Sequence, residues 1–247
     1  MVCIVSRLLF LLLIAPAVAS AQADYAREKR WADEIVPALL VGSAVQLELP
    51  NGRKFLALYA SRVSGDPGII VVHGAGVHPD WNLINALRSD LADHDYATLS
   101  IQMPVLASDS GPDQYGALYP EAAERIAAAA RFLRAKGHGK VAIVAHSLGA
   151  RMTNYFVERA IEPVDAWVSI GLSGTYSGAE RFNAPVLDLY GERDFPAVRD
   201  NSAARADTLR RMRGSAQMEV PAADHFFAGQ EAVLVREVKR FLDRKLK

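Results

Sequence analysis

Cysteine is almost missing. The one thiol, Cys3, lies within the first few residues. Once those residues are removed, the chain can form no disulfide and no thiolate metal site, whatever compartment it reaches. An excess of either charge is also missing: 28 Lys and Arg stand against 28 Asp and Glu. Proteins that grip nucleic acid carry a basic face, so that class of partner is set aside. The longest apolar run, Leu8 to Ala15, falls short of the roughly 20 residues needed to span a bilayer. No repeat, low-complexity tract or linker divides the chain. His78, His94, His138 and His146 offer no convincing set of carboxylates and histidines at metal-ligand spacing, so no metal is expected.

What is present begins with a leader. Arg7 precedes Leu8-Leu9-Phe10-Leu11-Leu12-Leu13-Ile14-Ala15, followed by Pro16 and the small residues Ala17 to Ala23. A positive residue, a short apolar core and A-x-A choices predict a secretory signal peptide over residues 1–23, cut after Ala19, Ala21 or Ala23, the last two favoured. The mature protein is then exported, to the periplasm or beyond. It retains no membrane span, and Cys3 is too far from the cut to carry a lipid.

Residues 24–247 read as one domain. A short helix runs from Asp24 towards Leu40, limited by Pro37. Two extended runs, Ala44–Leu49 and Phe55–Tyr59, flank Asn51-Gly52 as an antiparallel hairpin. Strands and helices then alternate. The strands are Ile69–Val72, Ala97–Ile101, Val141–Val144, Ala166–Ile170, Pro185–Tyr190 and Gln217–Val220. The helices follow Asp80, Pro120 and Ser147, then cover Ala197–Met212 and the stretch carrying Leu234, Val238 and Phe241. This order predicts an α/β fold of about eight strands, with an antiparallel opening hairpin, a mostly parallel sheet and helices on both faces.

In such a sheet ligands gather beyond the carboxyl ends of the strands. Four polar features fall there. Ser147 stands at the joint between the strand Val141–Val144 and a helix marked by Leu148, Met152, Tyr155 and Phe156. His73-Gly74-Ala75-Gly76, Gly191-Glu192-Arg193-Asp194 and Asp224-His225 end three other strands. A serine hydroxyl becomes a nucleophile only beside a base, the base needs a carboxylate to fix its tautomer, and the oxyanion needs N–H donors. Ser147, Asp194 and His225 supply these roles, with the N–H groups of Ala75 and Leu148 as oxyanion donors. Glu192 and Asp188 are the rival acids. Asp224 is expected to point away or to cap the last helix, and His73 to buttress its turn. Gly74, Gly76, His146, Gln102 and Met103 are candidates to line the substrate pocket. Trp81, Tyr115 and Tyr119 read as packing.

Together these pieces resemble the α/β-hydrolase superfamily over essentially the whole mature chain. His73-Gly74-Ala75-Gly76 is similar to its oxyanion turn. Ala145-His146-Ser147-Leu148-Gly149 is similar to its G-x-S-x-G elbow, with alanine for the first glycine. Tyr190 to Asp194 and Asp224-His225-Phe226 resemble its acid and histidine loops. Val71 to Trp81 is similar to a group of exported bacterial proteins of uncharacterised function, the DUF3530 type. The resemblance implies a serine hydrolase acting on an ester or thioester of a small-molecule or lipid-like acyl group, without a cofactor. Amide cleavage, acyl transfer and a non-catalytic binding protein on the same scaffold are the alternatives. The short segment Leu172–Ala184, where relatives insert a cap, implies an open site, shaped instead by the loop Gln102–Tyr119.

Overall fold

The computed structural model describes residues 22–247 apart from 62, 64, 179 and 180. The expected leader therefore lies, but for Gln22 and Ala23, outside the described residues. Helix α1 (Tyr25–Ala38) opens on Asp24, whose carboxylate accepts from the Arg27 N–H and satisfies one otherwise orphaned donor. The hairpin β1 (Ser43–Glu48) and β2 (Lys54–Ala60) follows, then β3 (Gly68–Val72), α2 (Asn82–Asp93) and β4 (Ala97–Ile101). A 3-10 turn over Pro112–Leu118 leads into α3 (Tyr119–Ala135), where Pro120 sits in the first turn. Then come β5 (Val141–His146), α4 (Leu148–Glu158), β6 (Ala166–Ile170) and β7 (Val186–Gly191). The chain closes with α5 (Pro196–Arg199), α6 (Ser202–Leu209), β8 (Ala216–Val220) and α7 (Glu231–Leu246).

The eight strands form one sheet in the order β1-β2-β4-β3-β5-β6-β7-β8. β2 runs antiparallel to both neighbours, and every pair from β4 to β8 is parallel. β3 to β6 are buried along their whole length. Their β-branched runs feed two cores, because alternate side chains leave opposite faces. Ile70, Val72, Ile143 and Trp167 pack under α3 and α4, while Ile69, Val71, Val144 and Val168 pack under α2 and α7. The last turn of α7 carries Arg244 and Lys245, the sign the helix dipole favours there.

One expectation is corrected. The single helix over Ala197–Met212 is two, α5 and α6, separated at Asp200-Asn201. The Asn201 amide donates to the Ala197 carbonyl (3.0 Å) and its own carbonyl accepts from the Arg205 N–H (3.1 Å), so it closes one helix and starts the next. The segment between β6 and β7 holds no α-helix or strand among its described residues. No helix of the described residues is long and apolar enough to cross a membrane.

Candidate active site

Ser147 joins β5 to α4 with φ 57° and ψ −123°, a backbone that non-glycine residues rarely adopt. The strain lifts the side chain clear of strand and helix. The close approach that makes this possible lies between α4 and the end of β3. A Cβ on Gly149 would run into the carbonyl oxygens of His73 and Val72. Ala145, fully buried, fits where the motif has glycine.

The Ser147 hydroxyl donates to His225 Nε2 at 2.9 Å. His225 Nδ1–H donates to Asp194 Oδ1 at 2.6 Å, and the same oxygen accepts from the Phe195 N–H at 2.7 Å. Asp194 and His225 are both buried. Residues 78 and 31 positions apart thus meet at one rim of the sheet. The rival acids are engaged elsewhere. Asp188 accepts from Arg205 Nε (2.8 Å), Gln217 Nε2 (2.8 Å) and the Tyr176 hydroxyl (3.1 Å). Glu192 accepts from the Ala222 N–H (2.7 Å). Asp224 accepts from the Phe226 and Ala228 N–H groups, so it shapes the histidine loop and does not cap α7, which starts at Glu231.

A cavity of about 430 Å³ opens at Ser147 and His225. Gly74 and His146, the pocket candidates, line it, and so do Ala75 and Leu148, the expected oxyanion donors. Leu148 is the first residue of α4, where a helix leaves its N–H without an internal acceptor. A Cβ on Gly74 would stand 3.1 Å from the Ser147 Cβ, so a bare backbone keeps the turn against the nucleophile.

Gly76, Gln102 and Met103 do not line this cavity; that expectation is corrected. Gly76 takes a positive φ (67°) at the turn, and its carbonyl accepts from Arg27 Nη2 (3.3 Å). Gln102 and Met103 lie buried beneath the turn. The Met103 N–H donates to His73 Nε2 (2.9 Å), beside the Gln102 amide (3.2 Å), and His73 Nδ1–H donates to the Gly74 carbonyl (2.8 Å). Burial pushes the His73 imidazole down to about 3, which keeps it neutral and able to accept on one nitrogen while donating from the other. Below this, Arg125 clasps Glu28 at 2.9 and 3.1 Å and donates to the Gln102 carbonyl at 2.8 Å. The turn is therefore tied to α1 and α3.

His146 behaves similarly. Its Nε2–H donates to the His225 carbonyl (2.9 Å), and burial, with the neighbouring His225, pushes it down to about 4. The rest of the wall was not legible in advance. Trp81, read as packing, lines the cavity with Val77, Val198, Phe195 and Phe226. Phe195 stacks on the His225 ring at 4.3 Å, and Phe226 meets it edge-on at 5.1 Å. Both phenylalanines directly follow site residues in sequence, a signal that adjacency alone could have given. Asp113, from the loop expected to shape the site, and Arg151 complete the polar part. Tyr115 is core, whereas Tyr119 borders a second, adjoining cavity. Among the described residues no three His, Cys, Asp or Glu groups cluster closely enough to hold a metal ion.

A covered, mostly parallel sheet with a serine raised on a strained strand-to-helix joint defines the α/β-hydrolase class of folds. The model of the Alpha/beta hydrolase family matches residues 69–245, and the chain belongs to that family. A second model, described as Protein of unknown function (DUF3530), matches residues 6–124. Comparison with curated proteins gives no match. Among solved structures the chain is similar to the Pyrococcus furiosus esterase Pf2001 (12% identity, 83% of this chain and 90% of that one, TM-score 0.68). It is also similar to Est1E from Butyrivibrio proteoclasticus (14%, 81% and 98%, 0.66) and to a dienelactone hydrolase from Anabaena variabilis (19%, 83% and 97%, 0.66). At these identities the likeness is one of fold.

Proposed function

We propose that this chain is an exported serine hydrolase that cleaves a carboxylic ester or thioester through an acyl-enzyme on Ser147. The observation that carries the reading is the aligned pair of short hydrogen bonds, Ser147 to His225 and His225 to Asp194, at the edge of an apolar cavity. His225 Nε2 takes the hydroxyl proton as Ser147 Oγ attacks the acyl carbonyl. The N–H groups of Leu148 and Ala75 receive the oxyanion. His225 then passes its proton to the departing alkoxide or thiolate. Water, deprotonated by the same imidazole, releases the acid and restores the serine. Asp194 holds the His225 Nδ1–H and stabilises the imidazolium that forms at each step. His146 fixes the loop from behind, through the His225 carbonyl.

The test is labelling with a fluorophosphonate, followed by turnover of p-nitrophenyl esters of graded chain length. Labelling that disappears in Ser147→Ala is expected. Folded wild-type protein that neither labels nor turns over any ester supports a binding protein on this scaffold and overturns the proposal. For export, the buried Ala23 and the Asp24 N–H bonded to the Val105 carbonyl (2.7 Å) favour a cut after Ala21, which keeps Ala23 in the mature chain. Amino-terminal sequencing of protein from the periplasm or the medium is then expected to begin at Gln22.

A further inference from the structure

Among the described residues Arg151 is the one Arg or Lys lining the cavity at Ser147, and the proposed mechanism does not use it. It lies on the first turn of α4, four residues beyond the nucleophile, about 6 Å along the helix. Its N–H donates to the Ser147 carbonyl at 3.3 Å. With Ser173 it also borders an adjoining cavity of about 260 Å³, so the residue is shared by the two spaces. It is half-buried. Among the described residues its side chain takes part in no hydrogen bond or ion pair, and its guanidinium lies 6.0 Å from the centre of the Tyr119 ring.

That is unlike the fully buried arginines of the chain. Arg88, Arg125 and Arg205 are each held by a carboxylate at hydrogen-bonding distance. The nearby acids do not fill the gap. Glu158, which borders the adjoining cavity, accepts from Ser177 Oγ (3.2 Å) and Arg159 Nη1 (3.3 Å). Asp113 lines the catalytic cavity from an exposed turn and makes no ion pair with Arg151. A guanidinium cannot shed its charge, and its planar fork matches a carboxylate with two parallel hydrogen bonds. The same cavity is lined by Trp81, Phe195 and Phe226, whose rings neighbour one another and suit an alkyl or aryl body.

We propose that Arg151 determines specificity, selecting esters that carry a carboxylate on an apolar body, with the carboxylate bound by the guanidinium while the ester carbonyl lies at Ser147. This rests on the hydrolase reading above and narrows it to a substrate class.

The test compares matched neutral and anionic esters. p-Nitrophenyl pentanoate against the p-nitrophenyl monoester of glutarate places the charge on the acyl side. Phenyl acetate against 4-acetoxybenzoate places it on the leaving group. The wild-type protein is expected to favour the anionic member of at least one pair by about tenfold in kcat/KM. That ratio is expected to fall to near unity in Arg151→Gln and to return in part in Arg151→Lys, with melting curves checking that both variants fold. A wild-type ratio at or below one in both pairs overturns the inference and leaves the hydrolase reading standing, and this arm needs no variant. A ratio that persists in folded Arg151→Gln also overturns it. Absence of turnover for all four esters, together with absence of fluorophosphonate labelling, removes both.

Discussion

At the scale of single residues, the site is held by contacts that tolerate little added bulk. Gly149 is the sharpest case. Its Cα faces the carbonyl oxygens that end β3, and backbone cannot step aside as a side-chain tip can. Gly149→Ala is therefore expected to cost about 1–3 kcal/mol of stability, read as a lowered urea midpoint, and to slow fluorophosphonate labelling by displacing Ser147. An unchanged midpoint would show that β3 and α4 separate freely. Residues of this kind were legible in sequence because few types can serve: a serine at a strand end, then an acid, then a histidine. Gln102 and Met103 were misread for the opposite reason. Position at a strand end says where the backbone lies, not what it will bond, and here the Gln102 side chain and the Met103 backbone N–H both serve His73 beneath the glycine turn.

At the scale of elements, α1 lies outside the parallel sheet yet bears on the site from two neighbouring residues. Arg27 reaches the carbonyls of Leu106 (2.9 Å) and Gly76 (3.3 Å), while Glu28 is locked to Arg125. Burial raises the Glu28 carboxyl above its usual range even with Arg125 beside it. Removing one member of such a pair strands the other in a poor solvent. Arg125→Met is expected to cost about 3–5 kcal/mol, and the double variant Glu28→Gln/Arg125→Met to recover part of it. Equal destabilisation by the single and double variants would show that lost packing, not the stranded charge, is responsible. The sequence announced α1, though the helix runs through Pro37 to Ala38, but not its reach, because Arg27 and Glu28 are ordinary surface residues until the fold sets them against α3 and the loop Gln102–Tyr119. The split between α5 and α6 was hidden in the same way: a polar stretch has no apolar period to interrupt, and the break rests on Asn201 bonding its own backbone neighbours.

At the scale of the whole molecule, the alternating pattern of apolar runs made the sheet and its opening hairpin legible, since burial on both faces leaves few other readings. The same pattern carries a dependence on pH. Burial holds the folded imidazoles of His73 and His146 down to about 3 and about 4. In the unfolded chain they take up protons near the ordinary value of about 6.5. Below that pH the unfolded state binds more protons, so acid favours unfolding. This contribution is whole above pH 6.5 and is lost progressively towards pH 4, with Glu28 acting in the opposite sense. A loss of about 2 kcal/mol or more is expected between pH 7.5 and pH 5, followed by urea titration. A flat profile would mean that both imidazoles protonate in place.

The order in which the site residues occur along the chain has a temporal consequence. A polypeptide leaves the ribosome amino end first, so the Gly74–Gly76 turn and Ser147 emerge well before His225, the base of the proposed mechanism. His225 follows β8, an edge strand, and precedes only α7, which packs against α2. A nascent or prematurely terminated copy thus displays the hydroxyl with no proton acceptor beside it. On the hydrolase reading proposed above, its chemistry stays dormant until β8 and α7 dock and bring His225 to the rim.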